Sequence, residues 1–124
     1  MKPMGLKLFS HLADRDQQAL KTTFQSPHWH PEGSVYNHIS LVSDLLPDDS
    51  LYQALAVFHD LGKVPTTRAV EKESEIKIQS IGHEFKSVEI IQRLKDSGRF
   101  DPFNLPWDEI IEVTRDHMKM HEYR

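Results

Sequence analysis

The sequence predicts an all-α fold, a compact bundle of about five to six helices, and two observations point to it. Apolar residues recur at three- and four-residue spacing in several separate stretches. The punctuating residues Gly33, Pro47, Gly62, Gly82, Gly98, Pro102 and Pro106 fall between those stretches rather than inside them. Strand-like two-residue spacing is read at Ile76 and Ile78, within the stretch 63–82. With 124 residues the chain fits one domain, 1–124, and every motif is read as part of one site.

Residues 6–24 carry Leu8, Phe9, Leu12, Leu20 and Phe24 among polar residues, which suits one or two short helices. Gln25 to Gly33 holds two prolines and a glycine, so it is a loop, and one rich in His and aromatic residues. Val35, Ile39, Val42 and Leu45 form a helical stripe with Ser34 as N-cap and Pro47 as terminator. The next helix starts at Asp49 or Ser50, turns Leu51, Ala54, Leu55 and Phe58 inward, and stops at Leu61-Gly62, where glycine suits a C-terminal cap. His59 and Asp60 then fall in its last turn. Residues 63–82 read as a long loop or a short hairpin. Val88, Ile91 and Leu94 mark a further helix, entered through Gly82-His83 and closed by Asp96-Ser97-Gly98. Pro102 and Pro106 bracket a turn, and Trp107 to His121 forms the last helix through Ile110, Ile111, Val113 and Met118.

Apolar residues make up 38% and charged residues 27%, a globular composition. The net charge of −4, with no Lys or Arg run, gives no electrostatic footprint for nucleic acid, although a polyanionic partner remains compatible with it. No apolar stretch has the length of a membrane span or a signal peptide, so the expectation is a cytoplasmic protein with no membrane partner. The absence of cysteine agrees with a reducing compartment. It also means that any metal must be held by nitrogen and oxygen, which suits Mn, Fe, Co, Ni, Zn or Mg.

Histidine is the outlier, with eight residues at 11, 28, 30, 38, 59, 83, 117 and 121. One histidine on an apolar helix face is ordinarily a hydrogen-bonded core residue. Here three helices each bring one near such a face, and His59 is followed directly by Asp60. An aspartate at a helix C-terminus opposes the helix dipole, a penalty that a bound cation reverses. A metal is the simplest way to account for several buried polar groups meeting in a bundle.

Asn37-His38, followed by the run from Ala54 through His59-Asp60-Leu61-Gly62-Lys63, resembles the signature of the HD superfamily of metal-dependent phosphohydrolases. The likeness is greatest to the HD domain of bacterial transfer-RNA nucleotidyltransferases, through His30-Pro31-Glu32-Gly33, Val35-Tyr36-Asn37-His38, Thr66-Thr67-Arg68 and Ile81-Gly82-His83-Glu84. It runs from about residue 28 to His121. No nucleotidyltransferase head accompanies it, so nucleotide addition is not implied.

The resemblance implies an HD-type bundle in which His38, His59 and Asp60 are primary ligands of one or two divalent metal ions. His83 and His117 match further ligands of binuclear members. Asp116 precedes His117 where relatives often carry a second histidine, and is a ligand by substitution or an acceptor that orients one. Many members close the primary site with an aspartate on a later helix, which is not found after His117. Asp116 then takes that place, or solvent and substrate fill the coordination sphere, or the domain has lost turnover.

The expected reaction is hydrolysis of a phosphate ester of a nucleotide or nucleic-acid end, as a phosphodiesterase or phosphatase. Asp60, Lys63 and Glu84 are the candidate catalytic groups, with Lys63 and Arg68 gripping phosphate and His30 and Glu32 lining the substrate site. Lys86 is a further cation within reach in sequence. The partner is then a small phosphorylated molecule, with nucleic acid as another class and a homodimer as a way to complete the pocket. Two other functions fit the same residues: a non-catalytic nucleotide- or RNA-binding module, and a di-iron oxygenase. His11 and His121 are expected at the surface.

Overall fold

A computed structural model describes residues 1–25, 33–72 and 75–122. Six helices of two turns or more carry the described chain: α1 (Pro3–Ser10), α2 (Asp14–Thr22), α3 (Val35–Leu45), α4 (Ser50–Phe58), α6 (His83–Ser97) and α7 (Trp107–Glu122). A single turn, α5 (Lys63–Thr66), leads into the strands β1 (Thr67–Lys72) and β2 (Glu75–Ser80). The expected all-α bundle is therefore what forms, and of the two expectations for residues 63–82 the hairpin is realised. Its strands pair antiparallel from Thr67 opposite Ser80 to Lys72 opposite Glu75.

Two helix starts, those of α3 and α4, follow side-chain capping. Ser34 accepts a hydrogen bond from the Asn37 amide and Asp49 accepts one from the Tyr52 amide, each satisfying an otherwise orphaned N–H. Helix α6 lies between Gly82 at φ 77° and Gly98 at φ 74°, both left-handed, a conformation that glycine adopts without Cβ strain. The first helix begins at Pro3, earlier than its apolar stripe suggests, because proline is already suited to a first turn.

The central element is α4, which packs against α1, α3 and α7. It is buried nearly all round, through Gln53, Ala54, Ala56, Val57 and Phe58, rather than along the single stripe of Leu51, Ala54, Leu55 and Phe58. Phe58 anchors an aromatic cluster, stacked on Trp107 at 6.2 Å and edge-on to Phe100 at 5.3 Å. His11 is not a simple surface residue. Its ring packs edge-on against Phe100 and Phe103, its Nε2 meets the Arg99 carbonyl, and Arg99 Nε donates to the His11 carbonyl.

Two helical phases differ from the expected stripes. On α3 the buried face is Val35, Ile39 and Ser43, while Leu45 is 83% exposed. Ser43 is buried because its hydroxyl donates to Gln53 Oε1, and Gln53 Nε2 in turn donates to the carbonyls of Ser43, Leu46 and Pro47. That network satisfies the carbonyls at the end of α3. On α7 Thr114 is inward and Val113 is exposed.

Helix α4 ends at Phe58, so His59 is its C-cap and Asp60 lies in the turn that follows. Gly62 is not a left-handed cap; its φ is −64°. It is glycine because a Cβ there would lie 2.1 Å from the His83 carbonyl oxygen and 2.5 Å from the Ser87 amide. Its own N–H donates to Ser87 Oγ, and its carbonyl accepts from Thr66 Oγ1. The turn carrying Asp60 is thus pressed backbone to backbone against α6. Gly62→Ala should destabilise the fold by about 3 kcal/mol, read as a lower midpoint in chemical denaturation; an unchanged midpoint would show that this approach is not tight.

Candidate metal centre

Four imidazoles from four elements meet at the Asp60 carboxylate. His38 comes from the first turn of α3, His59 from the end of α4, His83 from the first turn of α6 and His117 from the distal half of α7. Asp60 is 2% exposed. Its Oδ2 faces His38 Nε2 at 3.1 Å and His59 Nε2 at 3.0 Å. Its Oδ1 faces His83 Nε2 at 3.4 Å and His117 Nε2 at 3.8 Å. The rings pack on one another, with centroids 5.7 Å apart for His38 and His59, 5.6 Å for His59 and His117, and 5.4 Å for His83 and His117.

The outer nitrogens fix what the inner ones can do. Nδ1 of His59 donates to the Leu55 carbonyl at 2.8 Å, that of His83 to the Ser80 carbonyl at 2.9 Å, and that of His117 to the Thr114 carbonyl. A carbonyl only accepts, so in each ring the hydrogen sits on Nδ1 and neutral imidazole turns a bare Nε2 lone pair inward. Those lone pairs meet carboxylate oxygens, which also only accept, and His117 Nε2 lies 3.3 Å from His83 Nε2. Acceptor facing acceptor is relieved by a proton or by a cation.

The titration properties separate the rings. Burial disfavours a charged His59, but the adjoining Asp60 carboxylate outweighs it and raises the pKa above 6.5. Burial is the leading influence on His117 and lowers its pKa, so that ring is held neutral. Asp60 stays ionised, well below the usual carboxylate range, because His59, His38 and His83 overcome the cost of burying its charge. The donor set of four imidazoles and one carboxylate, without thiolate, fits a borderline or hard divalent ion. Two groups of potential ligand atoms lie within 4.8 Å of one another, His38 with His59 and Asp60, and Asp60 with His83 and His117.

The remaining sequence candidates fall at graded distances from this point. Lys63 is buried, with Nζ 3.4 Å from Asp60 Oδ2. Glu84 is half-buried beside the ring of His83, its Oε2 3.6 Å from Nδ1. Asp116 is half-buried on α7 and belongs to neither ligand group. Arg68 is exposed, its guanidinium donating to the carbonyls of Pro65 and Thr67. Lys86 pairs with Glu89 along α6. His30 and Glu32, with His28 and Trp29, lie outside the described residues, as does the side chain of His121.

One residue that sequence reasoning missed reaches the centre. Gln25 is buried and accepts a hydrogen bond from Lys63 Nζ. A glutamine at the edge of a loop carries no chemical signature, so nothing in the sequence could have singled it out.

Residues 30–124 match the family model described as the HD domain. No curated protein and no solved structure matches the chain significantly. Among the described residues no helix is long and apolar enough to cross a membrane.

A cation and protons compete for the same inner nitrogens, which sets a pH dependence. With its pKa raised above 6.5, protonated His59 stabilises the metal-free fold fully below that value, and the contribution is lost as pH rises through the folded pKa. Metal binding needs the neutral ring, so the increase in melting temperature produced by a divalent ion should grow from about pH 5.5 to about pH 8. Equal metal-induced shifts at both ends, in calorimetric scans, would remove His59 from the binding set.

Proposed function

The chain belongs to the HD domain family, a superfamily of metal-dependent phosphohydrolases, and from that premise we propose that it hydrolyses a phosphate ester of a nucleotide or nucleic-acid end. The observation that carries this reading is the buried Asp60 carboxylate with histidine Nε2 atoms facing each of its oxygens. In this reading His38, His59 and Asp60 hold a first divalent cation, and His83 and His117 share Asp60 in holding a second. Asp116, outside both groups, is read as the acceptor that orients a ligand rather than as a ligand itself.

When bound, the cation supplies Lewis acidity, polarising water and the phosphoryl group and offsetting negative charge. The chain's own groups do the rest. Backbone carbonyls hold the imidazoles in the tautomer that presents Nε2. Lys63, an ammonium fixed beside Asp60, draws a phosphoryl oxygen toward the centre as a point charge. Glu84, beside the outer nitrogen of His83, is in this reading the group that would exchange a proton or orient that ring. Arg68 commits one terminal nitrogen to the Pro65 and Thr67 carbonyls, and its remaining N–H groups would grip a more distant part of the substrate.

The likeness of the motifs to transfer-RNA nucleotidyltransferase HD domains supports a nucleotide as substrate. A 2′,3′-cyclic or simple nucleotide monophosphate is the first choice, with a homodimer completing the pocket and a cytoplasmic location. Because the same five ligands also suit a di-iron oxygenase, dependence of turnover on molecular oxygen separates that activity from hydrolysis.

Protein purified without chelator should take up Mn, Ni, Co, Mg, Zn or Fe by elemental analysis and turn over bis-p-nitrophenyl phosphate with at least one of them. Asp60→Ala should lose both metal and turnover, and His117→Ala should lower the metal content. Undiminished metal in Asp60→Ala and His38→Ala would sink the assignment. Metal uptake without turnover of any phosphate ester would favour the non-catalytic binding module. Lys63→Met should leave metal content intact and raise KM about tenfold, the worth of one charge-assisted hydrogen bond.

A further inference from the structure

Lys63 is an unusual residue to bury, since an ammonium removed from water must be paired and hydrogen-bonded. Its side chain is 7% exposed. An ammonium has three hydrogens to donate. Among the described residues two acceptors meet it, Asp60 Oδ2 at 3.4 Å and Gln25 Oε1 in a short, direct hydrogen bond. One N–H therefore has no acceptor in the described protein.

Gln25 is itself rigidly held. Its side-chain amide nitrogen donates to the Ser34 carbonyl, which settles the orientation of the amide and turns Oε1 toward Lys63. Its backbone N–H donates to the Gly33 carbonyl, and beside it Phe24 bridges Ser34, one residue before α3 begins. The amide is thus referenced to the same helix that carries His38.

The chemical type at position 25 is informative. A carboxylate there would hold the ammonium equally well but would set a second negative charge against it, in addition to Asp60. An amide holds the ammonium without contributing charge, leaving the cation available to an anion. We propose that Gln25 is a positioning residue for phosphate recognition: it fixes the Lys63 ammonium with one N–H directed to an anionic oxygen of the substrate. This rests on the phosphohydrolase reading above, and names a residue outside the metal-binding motifs as a determinant of anion affinity.

The test measures binding of inorganic phosphate to the metal-loaded protein by calorimetry, with metal content and melting temperature recorded for each variant. Gln25→Glu keeps an oxygen on Lys63 and adds an ion pair, so a purely structural role for Gln25 would leave phosphate binding at the wild-type level. A role in positioning the cation without adding negative charge instead requires about tenfold weaker phosphate binding at unchanged metal content. Gln25→Met removes the acceptor and should also weaken phosphate severalfold, providing the same test if the glutamate variant does not fold. In turnover of bis-p-nitrophenyl phosphate the loss should fall on KM more than on kcat. Wild-type phosphate affinity in either folded variant overturns the inference while leaving the hydrolase reading in place. Wild-type protein that takes up metal but neither binds phosphate nor turns over a phosphate ester overturns both.

Discussion

A single ionised carboxylate in a dry place is the constraint around which this molecule is arranged. An isolated buried charge is prohibitively costly, so Asp60 can remain ionised only if the fold surrounds it with partners. Five groups do so: four imidazoles and the Lys63 ammonium. No short stretch of chain could supply them. They come from α3, the end of α4, α5, the start of α6 and the distal half of α7, so the bundle has to be assembled before the carboxylate is balanced. Gly62 is where this demand meets sterics, since only the absence of a Cβ lets the Asp60 turn approach the His83 carbonyl and bring the two halves of the site together.

The imidazoles are supported economically. In many metal sites the outer nitrogen of a ligating histidine is held by a second carboxylate. In this chain His59, His83 and His117 each use a backbone carbonyl three or four residues earlier in the sequence. The acceptor is supplied by the same turn that carries the ring, so no further charge is buried. The local net charge then depends on Asp60, Lys63 and whatever occupies the inner nitrogens, which makes the centre electrically responsive to a divalent cation.

Much of this was legible in the sequence, for reasons that differ by residue. The helices were visible because apolar spacing reports period and because Ser34, Asp49, Gly82 and Gly98 mark ends by capping and left-handed turns. The histidines were visible because three helices each bring one near an apolar face and His59 is followed by Asp60. Periodicity does not reveal what a face packs against. Ser43 and Thr114 are inward where Leu45 and Val113 were expected, because a small polar residue fits a tight helix contact when a partner is at hand, and Gln53 is that partner for Ser43. The role of Gly62 was hidden for the same reason: a glycine after a helix looks like a cap, and only the position of α6 shows it to be a contact. Arg68 shows the converse, a cation beside the motif whose nearest acceptors are its own carbonyl neighbours.

The two halves of the site are not equivalent in their support. His38 and His59 belong to α3 and α4, whose packing against each other and against α1 forms the centre of the core, and both face the same oxygen of Asp60 at close range. His83 and His117 occupy element ends: the first turn of α6, where Ser80 of the hairpin holds the ring, and the outer part of α7. Their distances to the other oxygen are longer. Under the two-cation proposal, the closer His38 and His59 side would be the better prepared for a cation, and the His83 and His117 side would close around one on binding.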